Sequence, residues 1–235
     1  MAQLFAGTSG FAYAGWKPRF YPSDLPAKKF LEYYAQQLNS VEINYTFRRL
    51  PAASTLETWV QATPQGFLFS VKAHMRITHI LRLKNASEFT ALFLRSMDPL
   101  RATRRLGPIL FQLPPYFHCD RGVLSDFLAG LPAGLRFAFE FRHASWLDDL
   151  VYELLAQHNV ALCWAESEKF EVPAEQTADF VYFRLRKTKY SAKDRQAIAR
   201  TAKKLLAGGK DVFLFFKHED TPEGALYAKE LLTLP

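Results

Sequence analysis

Val41-Glu42-Ile43-Asn44 is a short apolar run that ends in polar residues, and that ending recurs along the chain. It returns in Phe69-Ser70-Val71-Lys72, Leu110-Phe111-Gln112, Phe139-Glu140-Phe141-Arg142 and Trp164-Ala165-Glu166. Phe183-Arg184-Leu185-Arg186 and Phe216-Lys217-His218-Glu219 complete the set. Side chains alternate faces along a strand, so Glu42 and Asn44 share a face, as do Glu140 and Arg142. A charge at the end of a buried strand is costly unless it is paired or meets a ligand. The repetition predicts one shared polar site at one end of one sheet.

Between these runs lie helical segments. Strands are expected at Leu4–Thr8, Val41–Asn44, Phe67–Lys72, Pro108–Leu113, Arg136–Phe141, Val160–Trp164, Phe180–Leu185 and Val212–Phe216. Helical spacing covers Lys28–Leu38, Ser54–Ala62, Ser87 to about Thr103, Arg121–Leu128, Trp146 to His158, Ser191–Ala207 and Glu223–Leu232. Gly208-Gly209 ends the strongest of these helices. Between the sixth and seventh strands, residues 165–179 have room for a turn at most. Alternation of this kind implies parallel strands joined by helical crossovers. The predicted fold class is α/β, a single (β/α)8 TIM-like barrel with an irregular sixth βα unit. An open doubly wound sheet is the rival. It calls for a Gly-rich turn after the first strand, and Gly7-Thr8-Ser9-Gly10 is not that fingerprint. With no linker, repeat or low-complexity tract, one domain over residues 1–235 is expected. Barrel sites lie at C-terminal strand ends, where every polar ending above falls.

The composition fits this reading. Of 235 residues 49% are hydrophobic, with 21 Phe, 10 Tyr and 4 Trp, ample for a sizeable core and too apolar for disorder. The formal net charge of +7 favours anionic partners, nucleic acid or phosphorylated metabolites, or else marks only a solvated surface. Cys119 and Cys163 lie in no metal-ligand spacing and suit a reducing cytosol. The first residues, Met1-Ala2-Gln3-Leu4-Phe5, do not read as a signal peptide, and no apolar run is long enough to predict a membrane helix. A cytoplasmic protein is expected.

Each candidate group has two readings. Glu42 and Glu140, on the second and fifth strands, divide acid and base roles in one. In the other each is a structural partner of a nearby cation, Arg142 or Arg184 in the case of Glu140. Lys72, Arg142, Arg184 and Lys217 converge on the same rim, as holders of an anion or as part of a closed ion-pair network. Asn44, Gln112, Tyr13 and Trp16 are candidates to orient the ligand, the two aromatics by stacking or hydrogen bonding. The alternative for the aromatic loop at 11–26 is a lid packed for its own sake. Ser9 has no evident His–acid pair and is not expected to be a nucleophile. No cofactor is expected. A divalent metal is the weaker option, with His218 and Glu219 as its candidates, since no spacing matches a local metal motif. Lys28-Lys29, Arg48-Arg49, Arg101-Arg104-Arg105 and Lys203-Lys204 are short basic clusters that extend an anion site only if they share its side.

Several blocks resemble a known family. Gly7-Thr8-Ser9-Gly10-Phe11-Ala12-Tyr13 with Trp16 and Phe20-Tyr21-Pro22 is similar to the opening of the YecE-like family, domain-of-unknown-function family 72. So are Ser40–Asn44 with Thr46-Phe47, Gly107–Pro115, and Phe139-Glu140-Phe141-Arg142-His143 with Trp146. The resemblance spans nearly the whole chain. It implies a triosephosphate-isomerase-type barrel and no established activity. A distant similarity of such barrels to endonuclease-IV-like enzymes implies nucleic-acid binding or processing, by fold analogy alone. Departures occur at Arg184-Leu185-Arg186-Lys187, where many members have Arg-aromatic-His-Gly. At Phe216-Lys217-His218-Glu219-Asp220 another branch has Phe-Asn-Asn. The expected function is therefore binding, and hydrolysis if it is an enzyme, of a phosphate-bearing ligand at the C-terminal strand ends, with nucleic acid or a nucleotide-like fragment as the favoured class. A carbohydrate-active enzyme using Glu42 and Glu140 is the alternative, and a non-catalytic binding protein the third reading.

Overall fold

Eight parallel strands run in the order β1-β8-β7-β6-β5-β4-β3-β2 in a computed structural model that describes residues 1–167, 169–217 and 221–233. They are β1 Leu4–Thr8, β2 Ser40–Ile43, β3 Leu68–Lys72, β4 Leu106–Gln112, β5 Phe137–Glu140, β6 Ala161–Ala165, β7 Phe180–Leu185 and β8 Asp211–Phe216. The helices are α1 Phe30–Gln37, α2 Ala53–Gln61, α3 Ser87–Ser96, α4 Asp98–Ala102, α5 Arg121–Ala129, α6 Asp149–Gln157, α7 Ala192–Ala207 and α8 Glu223–Thr233. Among the described residues no helix lies between β6 and β7, as the composition of that segment predicts. The fold is the expected (β/α)8 barrel. No helix among the described residues is long and apolar enough to cross a membrane.

The barrel is nearly closed, and its seam between β1 and β2 is held by one short backbone bridge and by side chains. Ser9 forms an isolated parallel bridge with Glu42, and the Gly10 amide donates to the Glu42 carbonyl at 2.8 Å. Asn39 Nδ2 donates to Leu4 O at 2.7 Å while its Oδ1 accepts from the Ala6 amide at 2.9 Å. The Tyr34 hydroxyl accepts from the Thr8 amide at 2.9 Å and donates to Ser40 O at 3.1 Å. These bonds do the work of ladder bonds between backbones that would otherwise leave buried groups unpaired. The approach is so close that a Cβ on Gly7 would lie 1.9 Å from Ser40 O.

Side-chain alternation sorts the strands into two cores. Val41, Phe69, Phe111, Phe139, Phe183 and Leu214 face outward into the large layer covered by the helices. Phe5, Leu110, Ala138, Cys163, Phe180, Tyr182, Phe213 and Phe215 form a smaller core inside the barrel. Two residues beyond an inward apolar position, the next inward side chain is polar. Leu110 leads to Gln112, Ala138 to Glu140, Tyr182 to Arg184 and Phe215 to Lys217. The pairing register sets Gln112 opposite Glu140 and Glu42 opposite Ser70, so these polar positions form one layer.

Two helices differ from the sequence expectation. Ser87–Thr103 divides at Met97 into α3 and α4, because Pro99 has no N–H to continue the first helix and favours the first turn of a new one. Trp146 belongs to a separate 3₁₀ turn, Ala144–Trp146, and α6 starts only after Asp148, whose carboxylate accepts from the Leu150 amide at 3.1 Å.

Candidate functional site

Glu42 on β2 and Glu140 on β5, three strands apart in the barrel, share Arg184. Its Nη2 lies 2.7 Å from Glu42 Oε1, its Nε lies 3.2 Å from the same oxygen, and its Nη1 lies 2.5 Å from Glu140 Oε2. All three side chains are no more than 1% exposed. Glu42 also accepts from Ser9 Oγ at 2.6 Å and from the Tyr182 hydroxyl at 2.7 Å. Glu140 accepts from Gln112 Nε2 at 2.9 Å and pairs with Arg186. Every carboxylate oxygen of this layer therefore has a partner, as buried charge demands. Glu140 meets Arg184 and Arg186; Arg142, the other partner considered from sequence, instead stands exposed at the mouth.

The electrostatics follow. Burial pushes the Glu140 carboxyl up, but Arg184, Arg186 and the Gln112 bond outweigh it and hold it at about 2. Burial opposes the charge of Glu42 too, and Arg184, Ser9 and Tyr182 hold it below the usual carboxylate range. Burial works against the Arg184 charge, yet its two carboxylates raise its pKa well above normal. Neither glutamate is poised to act as a general acid near neutral pH, since that requires a raised pKa. The pair forms a charge-compensated floor.

Above this floor the mouth opens into a cavity of about 250 Å³. It is lined by Asn44, Phe47, Arg48, Lys72, Gln112, Arg142, Arg184, Arg186 and Lys217. Of the residues expected here, Asn44, Lys72, Gln112, Arg142, Arg184 and Lys217 are brought together. Asn44 Oδ1 is shielded from solvent and accepts no hydrogen bond in the structure, leaving an acceptor for a ligand donor. Lys72 Nζ donates to Gln112 Oε1 at 2.8 Å and sits 3.8 Å from the centre of the Phe47 ring. Burial, then Arg184 and Lys217, lower its pKa to about 8 against the opposing pull of Glu140 and Glu42. Burial with Lys72 and Arg142 brings the His79 imidazole down to about 4, so it is neutral.

Trp16 is a correction. It is fully buried among Phe20, Tyr21 and Tyr13, so it packs the loop after β1 and presents no face to a ligand. Tyr13 donates to Ser9 O at 3.0 Å and does not line the cavity. Both sit where the loop needs apolar cover over the seam. His218 and Glu219 lie outside the described residues. Among the described residues no group of three or more His, Cys, Asp or Glu is placed to hold a metal. Arg186, Arg48, Tyr182 and Phe47 were absent from the expected site. Arg186 and Tyr182 share the parity of Arg184, which marks them from sequence; Phe47 ends and Arg48 caps a 3₁₀ turn, Tyr45–Phe47, where no periodicity points to them.

The sequence profile of the family described as "Protein of unknown function DUF72" matches residues 5–234. The chain belongs to the DUF72 family. It is 28% identical over 174 residues to the UPF0759 protein YunF of Bacillus subtilis, a match covering 70% of this chain and 59% of that protein. The match thus spans less than two thirds of the length of this curated relative. The solved structure of a DUF72 family protein from Thermotoga maritima superposes with a TM-score of 0.86 at 27% identity, covering 98% of both chains. A DUF72 family protein from Enterococcus faecalis gives 0.82 at 20% identity, covering 99% of this chain and 96% of that one. The expected membership and barrel are both met.

Proposed function

We propose that this DUF72 protein binds a small ligand carrying a carboxylate or phosphate at the mouth of its barrel. One observation carries the reading. Arg48, Lys72, Arg142, Arg184, Arg186 and Lys217 surround one cavity, and the carboxylates beneath them, Glu42 and Glu140, already have partners. The surplus positive charge in a confined, partly desolvated space favours an anion. Arginine forks suit carboxylate and phosphate oxygens, and Asn44 adds an acceptor for a ligand hydroxyl or amine.

A small anion fits better than a nucleic-acid chain. Arg105 is buried at the start of β4 and donates to the carbonyls of Thr63, Pro64 and Phe67, so it stands at the opposite end of the barrel. Lys203 and Lys204 close α7 just before β8, at that same far end. These two clusters therefore do not continue the mouth into a track for a polyanion, and of the Arg48-Arg49 cluster it is Arg48 that lines the cavity itself. Glycoside hydrolysis draws less support, because both glutamates are committed to Arg184 and held in the anionic form.

Titration calorimetry with inorganic phosphate, sulfate and citrate tests the reading, alongside single-stranded and duplex DNA at two salt concentrations. Saturable small-anion binding that weakens with salt is expected. Absence of heat from every anion would overturn it, and DNA affinity far above that for phosphate would favour the polyanion.

A further inference from the structure

Lys72 differs from the other cations of the mouth. A guanidinium cannot give up its proton in a protein, whereas an amine can. Among the described residues Lys72 Nζ makes no ion pair: its partners are the neutral amide of Gln112 and the face of Phe47. The carboxylates that could hold it charged are taken by Arg184 and Arg186. Gln112 is itself oriented, because its Nε2 donates to Glu140 and its Oε1 is thereby turned to the lysine.

We propose that Lys72 is a nucleophilic amine that forms an imine with a small carbonyl compound bearing a carboxylate or phosphate group. The proposal rests on the anion site above, which would hold the charged end of the ligand while the carbonyl carbon meets Nζ. In the neutral amine one N–H stays on Gln112 Oε1 and the other faces the Phe47 ring, so the remaining tetrahedral position carries the lone pair. That pair forms the N–C bond as the carbonyl π electrons move to oxygen. One nitrogen proton passes to that oxygen through water, giving a carbinolamine. A solvent proton is then taken up by its hydroxyl, the nitrogen lone pair forms the C=N bond as the C–O bond breaks, and water leaves with that bond's electrons, giving the iminium cation. The bound anion offsets its charge, while the neighbouring guanidiniums limit how far that anion draws a proton back onto the free amine. The cavity of about 250 Å³ suits a ligand of a few carbon atoms. With its pKa brought down to about 8, Lys72 carries roughly two hundredfold more neutral amine at pH 7.5 than an exposed lysine of pKa about 10.4.

The test is reductive trapping on the full chain. The protein is incubated at pH 7.5 with pyruvate, dihydroxyacetone phosphate or the uncharged hydroxyacetone, each with borohydride, and adducts are located by peptide mass spectrometry. The expected result is modification of Lys72 roughly tenfold or more faster than at exposed Lys28 or Lys203, faster for the charged probes than for hydroxyacetone, and blocked by phosphate. Whichever charged probe reacts faster identifies the preferred anion. Loss of that adduct in Lys72→Arg supports the assignment, and peptide mapping of the unaltered protein suffices if the variant does not fold. Equal rates at Lys72 with charged and uncharged probes would keep the imine and remove the anion site. Saturable phosphate binding with no preferential adduct at Lys72 would overturn the imine and leave the anion site standing.

Discussion

Replacing Arg184 with Met separates a structural from a dispensable role for the buried charge layer. The substitution keeps an unbranched, flexible stem and removes the guanidinium with its charge. Among the described residues Glu42 then has no ion-pair partner, and Glu140 retains Arg186. Removing one partner of a buried ion pair typically costs about 3–5 kcal/mol. A second route gives a similar size: Glu140 is held at about 2 rather than near 4.3, which corresponds to about 3 kcal/mol of linkage. The sign with pH is determined by the direction of these shifts. In the parent both glutamates titrate below their unfolded value near 4.3, so their contribution is present above that value and is lost as pH falls through the folded pKa. In the variant, burial without Arg184 lifts Glu42 above its unfolded value. The variant is therefore least stable at neutral and higher pH, and it recovers as protonation neutralises Glu42. Guanidinium denaturation followed by tryptophan fluorescence and far-ultraviolet circular dichroism, at pH 7.5 and pH 5, measures this directly. The expected gap is about 3–5 kcal/mol at pH 7.5 and distinctly smaller at pH 5, with Glu42→Gln added to Arg184→Met restoring a large part of the loss. A variant as stable as the parent at pH 7.5, or a gap that does not shrink on acidification, would refute the reasoning.

Other outcomes follow from the same geometry. Gly7→Ala drives a methyl into the Ser40 carbonyl and should cost at least about 3 kcal/mol, seen as a fall in Tm of roughly 6–12 °C. Arg142→Ala, at an exposed cavity position, should weaken phosphate binding by roughly tenfold in calorimetry while leaving Tm nearly unchanged. Tyr182→Phe removes the hydroxyl donor to Glu42 Oε2 and should lower stability by about 1–3 kcal/mol in the same denaturation assay. Cys163 is buried and its thiol pKa is pushed well up by that burial, so a disulfide-exchange reagent should leave it unmodified until the chain is unfolded.

The fold was legible in the sequence because burial imposes periods. Alternating strand and helix patterns predicted all eight strands and the crossovers between them, and the missing helix after β6 was visible in the polar, proline-containing segment that replaces it. Errors arose where a local rule was outweighed. Pro99 split a helix that the apolar spacing alone would have continued. Trp16 looked available to a ligand because its loop follows a strand end, yet the other rings of that loop enclose it. Strand parity likewise announced that Glu42, Lys72, Gln112, Glu140, Arg184 and Lys217 point into one barrel mouth, since side chains two residues apart share a face.

Partnership was decided elsewhere. Whether Glu140 would meet Arg142 or Arg184, and whether Lys72 would hold a carboxylate or only an amide, depends on distances across the barrel between residues far apart in the chain. Those distances come from strand register and barrel closure, which bring Arg184 between two glutamates 142 and 44 positions away. Sequence alone thus determined the strand ends and the residues carried there. Only the tertiary structure decided which charges cancel and which face the cavity, because Coulomb energy depends on separation and burial in space and not on order along the chain.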